Sequence, residues 1–418
     1  MIIWIYKIVI LLVFNLIIFM LVTYQSEKYQ KVLFTLFFLN FFLGVFPFLK
    51  SEEINYFAYY SIIVAVSAIT YLFKDFKLKL NSAIIYLSYF MLNLFIMWPS
   101  GYLLENYMLL VMPSLSLSMY ILFRYYVTYV NIRFFLIFLL LIAIIQSILG
   151  LSQSFWGYPN LGLSENIFQS DRNYFSILFP WVSPLVRHGT GTFLHFNGLG
   201  SFLTISIPFL FANWLTNKKN ILNIIIFLIV FAGVMTTYSR GAFLGSFFGC
   251  AVYYFMFRKS NIKILILNGL LFLAIAIYFS DSFQFYFQQT ENLSFRLMMW
   301  DWSVSYIVNN PLKMVFGYGV TFFRNEFYLQ YGTVTDLHSG IIQITLELGM
   351  VGILLFLWIL KSIMNFRINN KNNQLYLACF ASIFGFLAHQ IFDNALLGQL
   401  SVIFFIIIGI LHRLQALD

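Results

Sequence analysis

The sequence predicts an all-α, polytopic transmembrane helical bundle of about 12–13 spans, on three observations. Hydrophobic residues make up 61% of the 418-residue chain. Charged residues make up 9%, against roughly a quarter in a soluble domain, too few to cover a water-facing surface of this size. Apolar runs close to the roughly 20 residues that a helix needs to cross the hydrocarbon core recur almost without pause. The chain is expected to be a single integral membrane domain over 1–418, with no soluble domain attached.

Taken in order, the expected spans lie near 3–22, 32–49, 55–73, 82–98, 107–128, 133–152, 194–215, 221–238, 241–257, 263–279, 338–360, 375–392 and 395–411. The first apolar run, Ile2 to Val22, is too long for a signal h-region, and no small-residue cleavage site clearly follows it. It is expected to be a retained span, with Lys7 leaving its placement open. No fixed-period repeat is visible.

Two connections are long: a first external loop over 153–193 and a main external loop over 280–337. Long loops in an otherwise minimal chain are more often functional than accidental. Four spans separate them, so both emerge on one face. The tight turn at Tyr238, Ser239 and Arg240 falls two spans after the first loop, on the same face. The opposite face carries Lys218, Lys219, Arg258, Lys259, Lys263, Lys361, Arg367, Lys371 and Arg413 in short connections. That Lys/Arg excess marks a cytoplasmic side, so the long loops are expected to face outward. The basic gap Lys74–Lys79 falls inside. The N-terminus lies outside with thirteen spans and inside with twelve. This distribution accounts for the net charge of +9 and excludes a nucleic-acid partner as its reason. Cys250 and Cys379 both lie in apolar runs, where neither a disulfide framework nor a metal site is expected.

Four basic groups gather on the outward face. Arg187 opens Arg187-His188-Gly189-Thr190-Gly191-Thr192-Phe193-Leu194-His195-Phe196-Asn197. Arg240 stands in Ser239-Arg240-Gly241, inside nearly continuous apolar sequence. A charge at such depth costs up to about 2.5–3.5 kcal/mol on insertion scales, so an anionic ligand or a nearby carboxylate is expected to compensate it. The bland alternative is a hairpin cap snorkelling to head groups. Arg296 lies in an expected amphipathic helix from Leu293 to Val308, with Leu297, Trp300 and Val304 against the membrane, or in a surface helix whose arginine touches lipid phosphate. His338 follows Asp336 at the mouth of the next span. Imidazole suits a general base near neutral pH, although a lone histidine at a helix start is more often structural. His389 and Asp393, four apart, read as a pair near a span end. No His-x-x-x-His or carboxylate cluster suggests a metal, and Gly317-Tyr318-Gly319 lacks the Gly-Lys-Ser/Thr of a phosphate loop. Pro311 and these glycines are expected to fold the main loop back over the site.

Together these segments resemble the O-antigen ligase and polymerase family of bacterial membrane glycosyltransferases. The matching pieces are Arg187 to Asn197, Ser239-Arg240-Gly241, Arg296 with Trp300, and Asn310-Pro311-Leu312 with Gly317-Tyr318-Gly319. His338-Ser339-Gly340 follows, with Glu347-Leu348-Gly349 and Gly352. They occur in the family's order over about 180–360. Ser339 stands where many relatives carry asparagine. The resemblance implies a glycan on undecaprenyl diphosphate as donor, a glycan acceptor, no cofactor and no required metal. It implies action on the outer face of the bacterial cytoplasmic (inner) membrane, and it leaves room for a chain-length regulator as partner. Its essential arginines fall on Arg240 and Arg296 and its essential histidine on His338. Arg187, Asp336, Trp300 and Asn197 are the expected substrate-binding positions. Polymerase is the favoured activity, with ligase to lipid A core as alternative. A lipid-linked oligosaccharide flippase is the competing class, expected to show repeats, interrupted helices and mid-membrane ionisable groups.

Overall fold

The computed structural model describes residues 81–96, 113–156, 188–191, 193, 196–217, 220–258, 290–320, 322–331, 337–364, 374–393 and 400–416. All regular elements among the described residues are helical, as composition and run length required. Three of them, Tyr129–Trp156, Phe196–Thr216 and Gly340–Met364, are long and apolar enough to cross a membrane. The expected spans near 3–22, 32–49, 55–73 and 263–279 lie outside the described residues.

In chain order, α1 is Ser82–Ile96, and α2 is the helical stretch 113–121 that runs on into a π-helical turn, Leu122–Tyr126. Then come α3, Tyr129–Trp156, α4, Phe196–Thr216, α5, Ile221–Thr236, and α6, Arg240–Arg258. The main connecting region is itself helical: α7, Thr290–Asn309, α8, Pro311–Phe316, and α9, Phe322–Tyr331. The bundle closes with α10, Gly340–Met364, α11, Gln374–His389, and α12, Leu400–Ala416. The run that begins the first expected long loop stays helical as far as Trp156, so that loop starts later than 153.

The tightest packing joins α4, α6 and α11. In α6, Gly241, Gly245 and Gly249 recur every fourth residue and share one face. A side chain at Gly245 would come within 2.6 Å of the Gly385 carbonyl oxygen on α11. In lipid, where apolar surface gives helices no reason to associate, such close backbone approach and interhelical hydrogen bonds supply the attraction. Here the Thr204 hydroxyl donates to the Ala242 carbonyl at 3.1 Å, and that of Ser382 to the Ile205 carbonyl at 2.6 Å.

α10 is broken. Gly349 has φ 69° and ψ −172°, which interrupts the hydrogen-bond ladder near Leu346 and Glu347. Those carbonyls accept instead from the backbone N–H groups of Tyr318, at 2.9 Å, and Gly319, at 3.0 Å. The Tyr89 hydroxyl on α1 sits 3.1 Å from the Phe316 carbonyl and 3.0 Å from that of Leu348. Asn310 caps α8 by accepting from the Lys313 N–H, with Pro311 at its first position. The Pro311–Gly319 strap is thus docked onto the break in α10. A methyl group at Gly349 would strike the Val315 carbonyl and the Gly317 nitrogen, in a backbone conformation that costs a side-chain-bearing residue of order 1–3 kcal/mol. Gly349→Ala is therefore expected to lose about that much stability, read as a lower thermal midpoint of the purified protein. An unchanged midpoint would contradict the docking.

A small second core forms around α7 and α9. Met299, Ile307, Phe323, Phe327, Leu337 and Leu346 are buried together, with the Trp302 ring edge-on to Phe323 and Phe327. This core fixes α7, which carries Arg296, against the segment that leads into α10.

Candidate functional site

The candidate residues that fall on the described part of the chain lie at one end of the bundle, where α5 and α11 end and α4, α6 and α10 begin. Arg258, Lys361 and Arg413, by contrast, lie near the ends of α6, α10 and α12, at the opposite pole.

The α5–α6 turn is sharp because Tyr238 adopts φ 53° and the Thr237 hydroxyl accepts from the Ser239 N–H at 3.2 Å. Arg240 consequently opens α6 at its first residue. His188 packs over this turn. Its ring stacks on Phe196 with centroids 4.4 Å apart, meets Tyr238 edge-on, and its Nδ1 lies 3.1 Å from the Thr237 carbonyl. Burial pulls the His188 imidazole below its usual range, which keeps it neutral. Asn197 is buried on the first turn of α4, three residues before Gly200, which abuts Ala242 and Ser239. Arg187 and Asp336 lie outside the described residues.

Arg240 and Arg296 are both half-buried and within each other's field. Burial lowers the Arg240 guanidinium from its ordinary value, and the Arg296 charge lowers it further. Burial also lowers Arg296, but the Asp393 carboxylate acts the other way. The two guanidinium groups therefore lie within reach of each other's charge, and the Asp393 carboxylate acts on Arg296. Both stay protonated, since even a lowered arginine remains far above neutral pH. The result is local positive charge in partly desolvated surroundings, a setting that favours an anion with several oxygens.

The turn after α11, residues 389–393, ties these groups to His338. The Arg296 Nη1 points to the Phe392 carbonyl at 3.5 Å. Gly241, beside Arg240, is in close contact with Phe392 and with the His389 carbonyl. The Gly340 N–H donates to the Gln390 carbonyl at 2.9 Å and the Asp393 carbonyl at 2.8 Å. His338 stands two residues before Gly340 with φ 52°, a left-handed conformation uncommon outside glycine.

Trp300 sits differently from expectation. Leu297 and Val304 lie on the exposed side of α7, but Trp300 turns the other way. Its indole N–H donates to the Leu337 carbonyl at 3.0 Å, so this ring braces the residue before His338 instead of lying against the membrane with Leu297 and Val304.

Asp393, Phe392 and Gln390 join these groups at the turn without a sequence motif that marks them. Spacing alone pairs Asp393 with His389, and it does lie 3.8 Å from the His389 Nε2, yet its charge also acts on Arg296. The available signal was the glycine run of α6. Such spacing demands a close helix partner, and Gly385 in α11 offers the matching surface.

A profile of the family described as O-antigen ligase matches residues 224–357. Over that segment, about a third of its length, the chain is similar to the O-antigen ligase family. It contains Arg240, Arg296, Trp300 and His338, and it stops short of the Gln390–Asp393 turn. No curated protein matches the chain significantly. Among the residues of the O-antigen ligase segment, the docked strap explains Gly317 and Gly349, and the α10 break explains why Leu346 and Glu347 carbonyls need partners from outside their own helix.

Proposed function

We propose that the chain is a polymerase that joins undecaprenyl-diphosphate-linked oligosaccharide repeat units into O-antigen or capsular polysaccharide, at the outer face of the bacterial cytoplasmic membrane. The carrying observation is the pair of half-buried arginines that share the 389–393 turn with the His338 segment. The family match supports an O-antigen ligase or polymerase type of activity, and the Lys/Arg bias of the opposite pole supports the outward orientation.

The chemistry follows from the residue types. A lipid diphosphate is already a good leaving group and needs its developing charge neutralised more than it needs a proton. Arg240 and Arg296 supply forked donors for phosphate oxygens, most effective when fixed beforehand. His338 accepts the proton of the attacking acceptor hydroxyl. A single displacement at the anomeric carbon then inverts its configuration. Two guanidinium groups within each other's field repel a metal cation and can take the role it would play at the diphosphate, which supports a metal-independent reaction.

Two other readings remain in competition. Transfer of the glycan to lipid A core uses the same groups with a different acceptor. A lipid-linked oligosaccharide flippase is favoured by one observation, the interrupted helix α10 beside the fully buried Glu347, a feature shared with transporters. The strap that docks onto the break supports a structural role for it instead. Purified protein reconstituted in vesicles with a defined lipid-linked repeat unit separates the three. Longer glycan with an inverted linkage is the expected product. Translocated but unextended lipid would favour the flippase, and product only when lipid A core is added would favour the ligase. Chelator is expected to leave the rate unchanged, and a loss restored by a divalent ion would overturn the metal-independent step.

A further inference from the structure

Behind the arginines lies a buried polar group that the transfer chemistry does not use directly. Ser201 on α4, His389 at the end of α11, Gln390 and Asp393 are all buried, and the first three are inaccessible to solvent. The Ser201 hydroxyl lies 3.2 Å from the His389 Nδ1 and 3.4 Å from its Nε2, and 3.5 Å from the Asp393 Oδ2. The Gln390 side-chain amide lies 3.3 Å from the same Nδ1. Burial and the mid-helix position of Ser201 rule out a nucleophilic triad, since no substrate atom reaches that hydroxyl.

The arrangement instead fixes a proton. An amide N–H can only donate, so Nδ1 is the acceptor, and the imidazole proton sits on Nε2. That nitrogen is turned toward the Asp393 Oδ2, 3.8 Å away, with the Ser201 hydroxyl beside both. The Asp393 carboxylate thus has His389 and Ser201 on one side, while the Arg296 Nη1 reaches the carbonyl of the adjoining Phe392 at 3.5 Å and feels the carboxylate's charge. The same turn is held by the Gln390 N–H to the Phe386 carbonyl and the Phe392 N–H to the His389 carbonyl.

We propose that His389 and Ser201 are positioning residues of the site: a neutral imidazole and a hydroxyl, inaccessible to substrate, that orient Asp393 and through it set where the Arg296 guanidinium lies. The role in catalysis rests on the glycosyl-transfer reading. The positioning itself does not. Such shells behind a charged group decide whether it stands within reach of its target or about an ångström away.

The test uses the full-length protein in detergent. Arginine modification by phenylglyoxal is followed by peptide mass spectrometry at Arg296, with the exposed Arg324 as internal reference, in parallel with glycan elongation. His389→Leu is expected to change Arg296 labelling severalfold while Arg324 is unchanged, and to lower kcat more than it raises KM for donor. His389→Gln, which restores an N–H toward the carboxylate, is expected to recover most of both. Ser201→Ala, a smaller change that spares the packing, is expected to move Arg296 labelling in the same direction. Arg296 labelling unchanged in both His389→Leu and Ser201→Ala would overturn the inference. A wild-type protein that elongates nothing while Arg296 labelling shifts as expected would uphold the positioning and remove the transfer reading alone.

Discussion

Arg296→Ala and Arg240→Ala each lower the elongation rate of a lipid-linked glycan by about 10²–10³-fold, the usual cost of removing one preorganised charge-stabilising donor. The two differ in what they do to the fold. Arg240 sits in the field of Arg296, which opposes its charge. Its removal relieves that repulsion, so Arg240→Ala is expected to cost less in thermal midpoint than Arg296→Ala while losing activity. Arg296→Ala removes a cation whose charge favours the Asp393 carboxylate and is expected to lower the midpoint as well. Lysine at either position keeps the charge and loses the fork, and gives an intermediate rate. Because both arginines act on one diphosphate, the double alanine variant is expected to fall well short of the product of the single effects. Wild-type elongation by Arg240→Ala, with the protein still in the membrane, would dismiss the diphosphate-binding assignment.

The helices were legible because run length and charge depletion leave few alternatives. Each expected span that falls on described residues is helical, with ends shifted by a few residues. α3, for example, reaches Trp156, where the sequence suggested an end near 152. What composition could not convey is the break in α10. Gly349 stands in a mostly apolar run, two residues after Glu347, and its backbone is decided by the strap from Pro311 to Gly319, which arrives from elsewhere in the chain. From sequence the glycines of that strap suggest turns folding a loop over the site, and in the structure the strap docks on the Leu346 and Glu347 carbonyls.

The site was legible in part for a similar reason. Arg240, Arg296 and His338 stand out as polar groups at the edges of apolar sequence, where an uncompensated charge is costly. Trp300 and Asp393 could not be placed so readily. A tryptophan one turn after an arginine reads equally as membrane anchor or as brace. Its partner, the Leu337 carbonyl, carries no side-chain signature. Asp393 reads as the local partner of His389, because intrahelical spacing is visible in one dimension and the approach of α7 is not.

His338→Asn is expected to leave the fold intact and to reduce elongation by about 10²–10⁴-fold, the range of a lost general base. The choice of asparagine follows from the backbone. At φ 52° most residues are strained by roughly 1–2 kcal/mol, and asparagine, like histidine itself, is among the side-chain-bearing residues that tolerate the conformation best. The strain is held from both sides: Trp300 grips the Leu337 carbonyl, and the Gly340 N–H is shared between Gln390 and Asp393. A fold that wanted only a turn here would be better served by glycine, so a histidine held in this conformation suggests that its imidazole is what is being placed. His338→Gly supplies the complementary measurement. It should match or exceed the wild-type thermal midpoint and be as inactive as His338→Asn. Elongation near the wild-type rate in either variant would remove the base from His338 and leave the two arginines as the reacting site's only assigned groups.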